Sequence, residues 1–476
     1  MSSSILLNHG GQNHKDQSRY TGAKANWEVI TAAFLNGRLS LVAPPVRLRR
    51  HFDLLASLTD GAMPEQIIHT HELSNGLTVV IEPMSDVQSA AFCFLIPGGS
   101  AFDPAEQGGT AAALTDWITR GAGDLDSRDL SNALDNLGVQ RNESTGLNHL
   151  AFTAATLGEN VPAALSLYAD IIRRPQLPDE EFEGAIAGIE QSLRAIEDEP
   201  QRKLMIELRR RCYDAPWGLP TEGSLEELAR ITPQSVRGHF DRCLRPNGAI
   251  LGIAGRVDIQ QMIDLVSHLF GDWGTKPDSP IVTGPRGERL GHIHHDSTQT
   301  HIGIGYDAIE YAHPDYYKAW AAVGILSGGM SARLFTEVRE RRGLCYSVSA
   351  SLNSLKHEGR VLCYAGTTVE RAQETFDVTL HELQRLGDGI ESHELERCKA
   401  RAKSSLVMQQ ESTTSRATSI ARDWHFLKRI QTLDDIRRDI DELTVSGVLD
   451  YVHQHPARDF TVLTIGPNPL KVQEAS

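Results

Sequence analysis

The chain has 476 residues, 40% of them apolar, and a formal net charge of −15. That length suits about two to four domains with a core in each, and the acidic balance argues against nucleic acid or an anionic membrane surface, both of which reward clustered Lys and Arg. The six cysteines show no CxxC or other ligand spacing, no run approaches the roughly 18 apolar residues of a membrane span, and no secretory pattern opens the chain, so the composition reads as a cytoplasmic protein with reduced core thiols.

In chain order, residues 1–62 are polar and aperiodic, then basic at V-R-L-R-R-H-F, and read as a disordered extension, with Met63 a natural start for the folded part. A strand, a tight Asn75-Gly76 turn and the strand L-T-V-V-I-E-P follow, then a longer apolar strand ending at Gly98-Gly99. Between Pro178 and Pro200, Phe182, Ile186, Ile189, Leu193 and Ile196 recur at steps of three and four. That is the stripe of an amphipathic helix lying on a sheet, with Asp179 as its expected N-cap. R-P-N-G-A-I-L-G-I-A-G closes the unit as a turn and a buried strand.

The order then repeats. Gln299 to Tyr306 alternates as a strand, two helical stretches follow, and D-F-T-V-L-T-I-G ends the chain's last strand. D-E-E-F-E at 179–183 matches S-H-E-L-E at 392–396, an offset of 213, and A-I-L-G-I-A-G lies about 211 residues before T-V-L-T-I-G. Two matches at nearly one offset indicate an internal duplication. The expected fold class is α+β: two homologous domains, 63–274 and 290–476, each a mostly antiparallel sheet with helices packed on one face, joined by a Pro- and Gly-rich linker at 275–289.

Several segments, in order, resemble the pitrilysin (insulinase) family of zinc metallopeptidases, and specifically its shorter bacterial members built from two such domains. They are L-S-N-G-L-T-V-V, P-G-G-S-A-F-D-P-A-E-Q-G-G, E-G-S-L-E-E-L-A-R-I-T-P and L-S-G-G-M-S-A-R-L-F-T-E-V-R-E-R-R-G-L-C-Y-S-V-S-A, and the likeness spans about residues 70–470. In that family a helix carries HxxEH, two His as zinc ligands with a Glu as general base. Here G-T-A-A-A-L-T-D-W places Ala112, Thr115 and Asp116 on those three positions. A methyl group cannot ligate a metal, and catalytic zinc needs three protein donors. The later pair of carboxylates, the second being the family's third ligand, matches Glu183 and Glu190. With Ala112 lacking a donor, both read as helix carboxylates, and no ligand spacing supports a substitute site of Asp116, Glu190 and His149.

The family's second motif is retained. An Arg and a Tyr seven positions apart, which the resemblance assigns to substrate and oxyanion binding, match Arg339 and Tyr346. Ser331 is the expected cap of a helix burying Leu334, Phe335 and Val338, Gly343 its stop, and Tyr346 the start of a strand, so that both side chains face one cavity. Ser327, Gly328 and Gly329 resemble the glycine loop that noncatalytic family subunits use near substrate. Loss of the zinc ligands with retention of Arg339 and Tyr346 implies a zinc-free subunit that binds peptide beside an HxxEH-bearing partner of the same family. On that reading this chain needs no cofactor of its own, and zinc sits in the partner. A second reading is a scaffold like the peptidase-like core proteins of the respiratory bc1 complex; a third, a peptidase with a relocated metal site.

Overall fold

The computed structural model describes Gln66–Val472; the extension and Met63 lie outside the described residues. The first sheet begins with β1 (His69–Glu72), β2 (Thr78–Pro83) and β3 (Ser89–Pro97). Then come α1 (Thr110–Trp117), α2 (Ser127–Asn136), β4 (Gln140–Thr145), β5 (His149–Leu157) and α3 (Val161–Arg173). The long α4 (Asp179–Glu197), α5 (Pro200–Cys212) and α6 (Pro233–Cys243) lead to β6 (Ile250–Gly255) and α7 (Ile259–Phe270). All six residues of β6 are buried, as a central strand covered on both faces requires.

The second half runs β7 (Leu290–His294), β8 (Gln299–Ala308), α8 (Tyr316–Ser327), a π-helix (Phe335–Glu340), β9 (Cys345–Ser354) and β10 (Gly359–Thr368). It ends with α9 (Ala372–Gln384), α10 (Ser392–Gln410), α11 (Thr413–Leu427), α12 (Leu433–Asp441), α13 (Val445–Gln454) and β11 (Thr461–Gly466).

The sheets show the duplication directly. The first has the order β1-β2-β6-β3-β5-β4 and the second β7-β11-β8-β10-β9, so strand for strand the second repeats the first without β1. The single parallel contact falls in the same place, β2 with β6 and β7 with β11, and the other neighbours are antiparallel. The fold is α+β with two homologous domains.

Each half packs most of its helices on one face of its own sheet, as expected, and the second face takes a helix from the other half. Leu204, Leu208 and Cys212 of α5 pack on Leu362, Tyr364, Leu463 and Ile465 of the second sheet. Ala417 and Ala421 of α11 pack on Ala91, Cys93, Ile250 and Ala254 of the first. Glycines allow the close approach: a Cβ on Gly252 would collide with the Ala417 carbonyl, and one on Gly305 with the Cys212 sulfur. The sequence cannot show this exchange because each helix carries an ordinary amphipathic stripe whichever sheet receives it.

Asp179 is not the cap of α4 but its first residue, preceded by Pro178, and its carboxylate pairs with Arg237 at 2.7 Å. Residues 275–289 hold no helix or strand and are tied back to the first half by Arg245 to Asp278 and by the Asn247 amide to the Lys276 carbonyl, both 2.9 Å. All six cysteines are buried and unpaired, in keeping with core thiols.

Candidate functional site

α1 keeps its helix although its ligands are gone, because its other face is core. Ala111, Ala113, Leu114 and Trp117 are fully buried. The Trp117 indole donates to the Pro178 carbonyl at 2.9 Å, stacks edge-on to Phe182 and carries the Arg237 guanidinium on its face. At the helix start the Asp103 carboxylate accepts from the amides of Gly109 and Ala111 at 2.9 and 2.8 Å, and burial pushes that carboxyl up to about 7 against the pull of both amides.

On the outward face, Ala112, Thr115 and Asp116 line an open, polar cavity of about 400 Å³ shared with Glu143 and Thr145 of β4 and with Glu222. Thr115 Oγ1 is 2.8 Å from the Ala111 carbonyl, to which it donates, and 2.7 Å from Thr145 Oγ1. Asp116 is bound to Arg120 at 2.6 Å, and the same guanidinium reaches Glu181 of α4 at 2.9 Å, passing over Gly184. A guanidinium thus joins the two helices from which the family draws its zinc ligands. Glu190 pairs with Arg194 at 2.6 Å, and Glu183 is exposed.

Zinc does not fit this donor set: one position has no lone pair, one is a threonine held by neighbouring oxygens, and the carboxylates at 116 and 190 are each held by an arginine. Among the described residues no group of three or more His, Cys, Asp and Glu is placed to hold a metal ion. His149 does not join Asp116 and Glu190, for its ring packs edge-on against His425 of α11 at 4.5 Å. Arg120 and Glu181 escaped the sequence reading, yet Asp116 and Arg120 one turn apart were a legible helix pair.

The second motif is displayed by two irregularities. Arg339 rides the π-helix, where the amide of Arg341 reaches back to the Thr336 carbonyl at 2.9 Å, and its guanidinium lies 4.7 Å from the Phe335 ring centroid. Gly343 ends the turn as expected, with φ +59° and its amide on the Arg339 carbonyl at 3.0 Å. Ser331 gives no side-chain cap; the π-helix is preceded by Leu334, which is fully buried, as is Val338, while Phe335 is half-buried. Between Cys345 and Ser347 the β9–β10 register shifts, so Tyr346 is the extra residue of a β-bulge, 71% exposed. π-turns and bulges cost backbone hydrogen bonding and re-aim side chains, and both concentrate at functional sites. Arg339 and Tyr346 are therefore both held toward solvent, not into one enclosed cavity.

Ser327, Gly328 and Gly329 line a different cleft, of about 680 Å³, between α8, β9 and α10. Ser327 Oγ accepts from the Ala350 amide at 2.8 Å. A Cβ on Gly328 would strike the Gly324 carbonyl, so that glycine has a packing role.

This architecture, a duplicated α+β unit with a metal-motif helix beside an edge strand, defines a peptidase-like two-domain protein. The family profile described as Insulinase (Peptidase family M16) matches residues 78–223, and that described as Peptidase M16 inactive domain matches residues 230–402. The chain belongs to the M16, or pitrilysin, family. An uncharacterised zinc protease of Bacillus subtilis is 27% identical over 408 residues, spanning 84% of this chain and 99% of the relative. One of Rickettsia felis is 24% identical over 402 residues, spanning 84% and 98%. Among solved structures, a peptidase M16 inactive domain from Pseudomonas fluorescens shares the fold at TM-score 0.78 and 18% identity, covering 86% of this chain and 100% of that one. A protease from Helicobacter pylori does so at 0.77 and 20%, covering 84% and 100%. No helix among the described residues is long and apolar enough to cross a membrane.

Proposed function

We propose that this chain is the zinc-free subunit of a two-chain metalloendopeptidase of its family, supplying Arg339 and Tyr346 to peptide bound at an HxxEH-bearing partner. A contrast within the molecule carries the reading. The metal positions have become a methyl, a hydroxyl and arginine-bound carboxylates. Arg339 and Tyr346, by contrast, are held out toward solvent by a π-turn and a bulge. A guanidinium and a phenol are what developing negative charge on a carbonyl oxygen requires, and a protein kept only as a scaffold has no use for them. In this chain they bind and orient; zinc, where present in the partner, supplies the activated water.

The purified chain is expected neither to hold stoichiometric zinc nor to cleave peptides, and to gain activity on mixing with an HxxEH partner. Arg339→Ala in the complex should lower turnover by roughly tenfold to a thousandfold, the range for losing one oxyanion donor. Chelator-sensitive cleavage by the isolated chain would reject the proposal. Unchanged turnover in the Arg339→Ala complex would instead favour an assembly role.

A further inference from the structure

The cleft between α8, β9 and α10 corresponds, by the duplication, to the cavity beside α1 and β4 in the first half: a helix and the edge strand of the sheet line each. It is larger, and its wall is mainly apolar, with Trp320, Val323, Leu352 and Ala402. β9 is the outermost strand of its sheet. The Ala350 amide turns away from β10 to reach Ser327, so by the two-residue period of a strand the amides of Val348 and Leu352 also point away from β10, that of Leu352 at the cleft.

The charges of this cleft are one-sided. Glu394 lines it, but Arg333 holds that carboxylate with two hydrogen bonds of 2.7 Å. Arg397 donates only to the Ser331 carbonyl at 3.2 Å, and Arg401 has no carboxylate within ion-pair distance among the described residues. Gly329 leaves room for Arg401, since a Cβ there would sit 3.3 Å from its guanidinium. On a chain of net charge −15, two guanidinium groups without carboxylate partners among the described residues form a local positive site over an apolar wall. β9 runs on past the cleft in both directions, from Cys345 to Ser354, so a strand laid along it passes through rather than ends there.

We propose that this cleft is a second peptide site: an extended peptide adds as a strand to β9, seats an apolar side chain between Trp320 and Leu352, and places an internal acidic side chain on Arg397 and Arg401. Main-chain hydrogen bonds would hold the peptide and the pocket would choose its side chains, with the guanidinium pair selecting the carboxylate. The inference deepens the subunit reading by naming a substrate class, and rests on it in taking the bound peptide for a substrate.

The test is fluorescence anisotropy of the full chain alone with a labelled, acetylated and amidated peptide Thr-Val-Leu-Glu-Val-Thr, against the same peptide with Lys for Glu. The Glu peptide should bind at least about tenfold tighter, the scale of one charge-assisted hydrogen bond. The R397E/R401E variant should reverse that order and R397K/R401K should keep it. N-methylation of alternate peptide amides should weaken binding in one register only. Equal binding of both peptides, an order unmoved by R397E/R401E, or preference for a free terminal carboxylate over the Glu side chain would overturn the proposal. If the Glu preference holds but no partner yields a peptidase, the subunit reading fails while this site stands. If a reconstituted peptidase shows no change in KM for Glu-containing peptide with R397E/R401E, the reverse is true.

Discussion

Arg416 of α11 is 1% exposed and meets Glu82 of β2, 4% exposed, at 2.8 Å. The other Glu82 oxygen takes the Gln66 amide at 2.5 Å, and Gln66 in turn accepts from the Leu433 backbone at 2.6 Å. A buried pair adds little over apolar packing, but removing one partner strands a charge. Arg416→Leu should therefore cost about 3–5 kcal/mol, and Glu82→Leu with Arg416→Leu should regain most of it; urea denaturation of both variants checks this. Burial also holds the imidazoles of His149, His239 and His425 down at about 3, 4 and 4, helped at the first and third by Lys356 and Lys428. A histidine kept neutral by the fold contributes stability that is complete above its unfolded value near 6.5 and is lost as pH falls, because the unfolded chain takes the proton first. Asp103, raised to about 7, works the other way, gaining a proton in the fold as pH falls. Stability measured from pH 6.5 to 4 should fall by about 2–3 kcal/mol per buried imidazole. His425→Gln should flatten that slope, and an unchanged slope would clear the His149–His425 contact of any part in it.

At the scale of elements, backbone irregularity and side-chain loss tell opposite stories. α1 is regular and lacks the family's motif residues, whereas the turn and strand that carry Arg339 and Tyr346 are irregular and retain both residue types. Arg339, Gly343 and Tyr346 were legible as a motif because residue types and spacing survive in a string of letters. The π-turn and bulge were not, since both depend on how the turn after α8 meets β10. The glycines of β6 and β8 are legible only as weak points in strands, and the structure explains them by the helices laid across. Gly252→Val should lower stability by about 1–3 kcal/mol by overpacking against α11, measured as a fall in Tm with the far-UV spectrum retained. A neutral result would mean that α11 can slide on the first sheet.

For the whole molecule, the reciprocal exchange of α5 and α11 means that neither sheet is fully covered without the other half. The described protein should unfold in one calorimetric transition rather than two, because opening either half exposes the apolar face of both. Two resolved transitions would show the halves to be independent, and Gly252→Val is the substitution most apt to separate them.

The letters alone determined the family, the duplication and the missing zinc donor, since these rest on residue identity and spacing: a methyl at position 112 has no lone pair in any conformation. Tertiary structure alone decided that Arg120 stands between the former ligand helices, that each half lends a helix to the other, and that Arg397 and Arg401 share a cleft with β9. Those facts depend on which faces meet between segments far apart in the chain, 61 residues for Arg120 and Glu181, and an apolar stripe records that a helix is buried without recording what buries it.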